Sequence, residues 1–96
     1  MFGLIVKFVA HDGQRDIVIR KMSTGMQNMP GCRSYILAKD PADEVSIWIT
    51  EVWENAESKE AANLLPLIQA VIDEVKPMLA RCDSRIITTP VGGQGL

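Results

Sequence analysis

Apolar residues recur at every second position of the opening stretch "MFGLIVKFVA", and they do so on both sides of the chain. Phe2, Leu4, Val6 and Phe8 mark one side, and Ile5 and Val9, flanking Lys7, mark the other. Period two is the spacing of a β-strand. A strand that is apolar on both sides has to be largely covered, so the chain is restricted to folds that place this segment inside a sheet with something packed on each face.

The period then changes. Asp12-Gly13 is a turn pair, and from Gln14 onward Val18, Ile19, Met22, Met26 and Met29 recur at spacings of three and four, as on an amphipathic helix. Pro30 disfavours the helical conformation at Met29, which predicts the helix end there, with Gly31 tolerating the turn that follows. Period two returns in "CRSYILAK" (32–39) and in "VSIWITEVWE" (45–54), and the turn "DPADE" between them predicts a hairpin. The second of these strands carries Val45, Ile47, Ile49, Glu51 and Trp53 on one face and Ser46, Trp48, Thr50 and Val52 on the other.

Asn55 is placed to cap a short helix over about 56–64, which Pro66 breaks or restarts, because its ring would strike the carbonyl of Ala62. The helical run from Pro66 has Ile68, Val71, Ile72, Val75 and Leu79 as its buried stripe and bends at Pro77. "SRIITT" (84–89) reads as a fourth strand and "PVGGQGL" (90–96) as a C-terminal tail. The order β-α-β-β-α-β is the α+β, ferredoxin-like arrangement, a four-stranded antiparallel sheet with its helices on one face.

Ninety-six residues fit one domain over 1–96. At this size a core buries only about 60–65% of the surface that the unfolded chain exposes. The apolar residues on the helix-free face of the sheet would add a large exposed patch in a monomer. Two such sheets packed face to face, as a homodimer forming an α/β barrel, are the expected remedy.

Composition narrows the partners. Ten Lys and Arg against twelve Asp and Glu leave a net charge of -2 without a basic run, so nucleic acid is not an expected partner. The longest uncharged stretch, "AANLLPLIQAVI" (61–72), falls short of the roughly 20 residues of a membrane span. "FGLIV" has no basic segment before it and does not resemble a signal peptide. Cys32 and Cys82 read as reduced thiols, which fits a cytoplasmic protein.

His11 is the only histidine and has no Cys or His at a ligating interval, so no side-chain metal site is expected. No second histidine is present to complete a nucleophilic triad. "VGGQG" opens no helix and follows no phosphate-binding turn, which reads as a flexible or partner-clasping end rather than a nucleotide cradle. Glu51 interrupts an apolar strand face and needs a partner there, with Lys7 or Arg85 as candidates. It serves either as a structural ion pair at the dimer seam or as a proton-transferring acid. Trp53, at the strand end, is either a core residue or the wall of a pocket opening there. Lys59 and Asn63, four apart on the short helix, are either a solvated face or a cation and an amide at a cavity rim over Trp53.

Four segments, "MPGCRSYILAKDPAD", "IWITEVWENAESKEA", "LPLIQAVIDEVKPMLA" and "TTPVGGQGL", resemble the antibiotic biosynthesis monooxygenase, or quinol monooxygenase, family of dimeric α/β barrels. The resemblance implies a homodimer with an apolar pocket between sheet and helices, and oxygenation of a small phenol, quinol or anthrone without cofactor. It makes Trp53 the pocket tryptophan and places Ile49 where anthrone-oxidising relatives carry Asn. It also places Lys59 where relatives carry His or Tyr, and Gln94 where the tail usually has His. Lys59 and Trp53 become the candidate catalytic residues, and Tyr35, Asn63, Ile49 and Glu51 the candidate substrate contacts. Because the usual His, Tyr and Asn are absent, two further functions are expected alternatives: a non-catalytic ligand-binding dimer, and an isomerase of small reactive carbonyl compounds.

Overall fold

A computed structural model describes residues 1–96. Strand β1 (Phe2–Ala10) turns at Gly13, whose φ of 75° suits glycine, into helix α1 (Arg15–Gly25). Strands β2 (Cys32–Lys39) and β3 (Ser46–Trp53) follow, then helices α2 (Ala56–Asn63) and α3 (Pro66–Val75), a 3-10 turn (Lys76–Met78) and strand β4 (Leu79–Thr88). All pairings are antiparallel, in the order β2-β3-β1-β4. This is the α+β ferredoxin-like fold that the periodicities predict.

Local chemistry sets the second helical connection. The Asn55 side chain accepts the Ser58 N–H at 2.8 Å, capping α2 as expected. Pro66 takes the first position of α3, where a missing N–H costs nothing.

Two expectations fail. Helix α1 stops at Gly25, so Met26 and Met29 lie beyond it, although both are buried. A Cβ at Gly25 would sit 2.2 Å from Val71 Cγ2, so only glycine allows α1 and α3 to approach so closely there. Asn28 then adopts a left-handed φ of 55°, which no helix continues. The three-and-four spacing of the methionines therefore spans a helix and a loop folded under it. The fourth strand begins at Leu79, five residues before the apolar alternation becomes visible, and Leu79 belongs to it rather than to α3. Its first half has little apolar alternation of its own. Backbone pairing with β1 forms it, with irregularities between Lys7 and Phe8 and between Val9 and Ala10.

The core lies between the sheet and the helices. Leu4, Val6, Ile47, Ile49 and Trp53 of the sheet pack against Val18 and Met22 of α1, Ala62 of α2, and Ile68 and Val75 of α3. The opposite sheet face has no helix. Ile36, Thr50, Ile5 and Ile86 form one row across all four strands on that side, and Ile36 and Ile86 are 56% and 50% exposed. Lys7 also lies on this side, 3.9 Å from Asp40 and over the Trp48 ring.

Candidate functional site

Alternation along β3 turns Ile49, Glu51 and Trp53 toward the helices, and the register sets Tyr35 of β2 and Leu4 of β1 beside Glu51. Helix α2 begins three residues after Trp53 and runs back over it. Two features hold that return. The Glu54 N–H donates to the Gly31 carbonyl at 2.8 Å. Gly31 has a φ of 79°, and a Cβ there would meet the Ser58 Cβ at 2.6 Å, so the absent side chain makes room for α2. Lys59 consequently faces inward, and Asn63, exposed to solvent, sits at the rim of the same space, the second of the two readings that their spacing allows.

Between sheet and helices lies a cavity of about 490 Å³, within the usual range for small-molecule sites. Tyr35, Ile49, Glu51, Trp53, Lys59 and Asn63 all line it, so the fold brings together every candidate site residue that the sequence singles out. His11 and Gln94 do not line it and are exposed.

At its centre Glu51 Oε1 accepts from Lys59 Nζ at 2.8 Å and from Trp53 Nε1 at 2.9 Å, and Lys59 Nζ lies 5.5 Å from the Trp53 ring centroid. The Glu51 side chain is 4% exposed and that of Lys59 17%. The partner of Glu51 is thus Lys59, and the expectation of Lys7 or Arg85 is wrong. Lys7 projects from the other sheet face, and Arg85 is separated from Glu51 by β1. The return of α2 delivers a cation eight residues downstream that strand geometry alone does not predict. The pair lies within one chain.

Charge compensation allows this carboxylate and ammonium to stay in an apolar cavity. The cation over the indole face adds a cation–π contact. Glu51 Oε2 receives no hydrogen bond, and because the only sealed, unpartnered side-chain polar atom in the chain is Arg15 Nε, Oε2 opens into the cavity. Burial pushes the Tyr35 hydroxyl well above the usual phenol range, and the neighbouring Glu51 carboxylate and Cys32 push it the same way. Tyr35 therefore presents a neutral O–H donor. Burial likewise raises the Cys32 thiol, partly offset by its hydrogen bond to the Ser34 carbonyl at 3.6 Å. Cys32 and Cys82 are both free thiols. No three His, Cys, Asp or Glu side chains cluster closely enough to hold a metal ion.

Sequence reasoning missed Lys76, Cys82 and the cavity role of Arg85, all of which line the same space. Arg85 leaves one signal, a charge next to "IITT". Lys76 leaves none, because the 3-10 turn that aims it is set by Pro77 and by the start of β4.

The family model described as "Antibiotic biosynthesis monooxygenase" matches residues 1–74. A crystal structure from Chloroflexus aurantiacus J-10-fl, assigned to antibiotic biosynthesis monooxygenases, is 46% identical with a TM-score of 0.94, over 97% of this chain and 95% of that one. A second such assignment, from Deinococcus radiodurans, is 18% identical with a TM-score of 0.73, over 97% and 95% of the two chains. SnoaB, a cofactor-independent oxygenase from Streptomyces nogalater, is 13% identical with a TM-score of 0.77, also over 97% and 95%. At the two lower identities the likeness is one of fold. No curated protein matches the chain.

Proposed function

The chain belongs to the antibiotic biosynthesis monooxygenase family, and on that premise we propose that it oxygenates a small phenol, quinol or anthrone-type compound without a cofactor, in the cavity against Trp53. The observation that carries this reading is the buried Glu51–Lys59 pair set beside an indole in an otherwise largely apolar space.

A substrate of this class supplies the electrons itself. Deprotonated, it is electron-rich enough to reduce oxygen directly. In an anthrone the ring CH2 becomes C=O, one atom of O2 enters that carbonyl, and the other leaves as water with the two hydrogens. The protein's share is to exclude water and to stabilise the anion that reacts. Lys59 Nζ donates one N–H to Glu51 and keeps two for a phenolate oxygen. Tyr35 and Asn63 add neutral donors, Glu51 Oε2 is open to receive the proton, and Trp53 and Ile49 give the ring its walls.

Oxygen uptake by purified, metal-free protein against a panel of anthrones and hydroquinones tests the assignment. Lys59→Ala is expected to slow turnover by about 100-fold, the usual loss when one donor to a developing oxyanion is removed. An unchanged rate would remove Lys59 from the mechanism. Ligand binding without uptake would replace the oxygenase by a binding module, and rearrangement of a carbonyl probe without uptake would replace it by an isomerase.

The same reading makes the protein a homodimer. A second copy seated on the row of Ile36, Ile5 and Ile86 would bury the apolar side chains left open by the helices. Light scattering is expected to give a dimer mass for the native chain and a monomer mass for Ile36→Glu. A dimer that survives this charge places the interface elsewhere.

A further inference from the structure

Lys59 is not the only cation on the cavity wall. Lys76, in the 3-10 turn after α3, and Arg85, on β4, line it as well. Both differ from Lys59 in being exposed and in forming no ion pair within the chain. Arg85 stands opposite Val6, a residue buried under the helices, so its side chain belongs to the cavity side of the sheet.

These charges divide the cavity in two. Glu51 and Lys59 cancel each other at the β3 side, under α2. Arg85 lies across β1 from Ile49, two residues along β3 from Glu51 and so about 12 Å from it at the usual strand spacing and rise, and Lys76 enters from the end of α3. Two uncompensated positive charges therefore face the cavity from one side, in a chain whose net charge is -2. An anionic group is favoured there, and it is disfavoured at the other end beside the Glu51 carboxylate.

We propose that the ligand of this cavity is an aromatic phenol that also bears a carboxylate, bound with the carboxylate between Lys76 and Arg85 and the phenol toward Glu51 and Lys59. The proposal rests on the reading of the cavity as the substrate site. It adds the charge and the direction of the ligand. The planar guanidinium of Arg85 matches a carboxylate with two parallel N–H donors, and Lys76 supplies a second, mobile charge. Of the cations that form no ion pair, these two are the ones that line the large apolar cavity between sheet and helices.

The test compares a hydroxynaphthoic acid with its methyl ester, which keeps the rings and the phenol and removes the charge. Binding is read by calorimetry on the intact protein and on Lys76→Gln, Arg85→Gln and the double variant. The acid is expected to bind roughly tenfold more tightly than the ester, with the advantage shrinking at high salt. In the double variant the advantage should vanish, with acid and ester binding alike. Equal binding of acid and ester by the native protein would overturn the clamp and leave the pocket standing, as would a preference that survives in the double variant. Failure of both compounds to bind would overturn the pocket reading and the clamp with it.

Discussion

Trp53→Ala is expected to lower the stability of the fold by about 3–5 kcal/mol, as large truncations of buried aromatic residues do, and to abolish oxygen uptake. Trp53 is 1% exposed and joins the core to the cavity, so truncation opens a void on one side and removes a wall on the other. It also takes away the indole N–H that orients the Glu51 carboxylate. The measurement pairs denaturant unfolding with uptake at a temperature where the variant is still folded. Trp53→Phe separates the two effects. It keeps an aromatic wall and loses the N–H with the smaller part of the ring volume, so it should cost less than Trp53→Ala, about 1–2 kcal/mol, and retain ligand binding. A Trp53→Ala variant with native stability, or with full activity, would remove Trp53 from the role assigned to it.

Glu51→Ala is expected to cost about 3 kcal/mol, the lower end of the range for breaking a buried pair, because Lys59 keeps some contact with water. The loss would come mainly from leaving an ammonium in an apolar cavity, not from the attraction removed. Lys59→Met placed on top of Glu51→Ala should therefore recover much of the stability. A double-mutant cycle by chemical denaturation reads this directly. If the second substitution adds to the damage, the pair is held by packing and not by charge compensation. Glu51→Gln keeps an acceptor for Trp53 Nε1 and Lys59 Nζ, so its effect isolates the charge.

The elements were legible because each is encoded locally. Hydrophobic period distinguishes β1, β2 and β3 from the helices, Asn55 announces the cap of α2, and Pro66 marks where one helix must stop and another can start. The candidate site was half legible for a related reason. A carboxylate on an apolar strand face signals an unsatisfied charge, and Lys59 and Asn63 share a helix face by simple spacing. The spacing leaves open whether that face looks inward or outward, and the strand pattern points Glu51 to Lys7 or Arg85 instead of to Lys59.

Tertiary structure decided the rest, where the answer depends on which distant backbones meet. Glu51 pairs with Lys59 because the Gly31–Glu54 contact folds α2 back over β3. Met26 and Met29 are buried although Gly25 and Asn28 end the helix before them, since burial follows from what lies above a residue and not from its own backbone. The first half of β4 is a strand only because β1 offers it hydrogen bonds. Lys76 and Arg85, nine residues apart and in different elements, line one cavity because β4 runs back along β1 after the turn that carries Lys76. By itself the sequence determined the kinds of element, their order and the sheet face that carries the odd carboxylate, because these depend on neighbours a few residues away. Which charges meet, and which remain unpaired over the cavity, was decided only when the chain closed on itself.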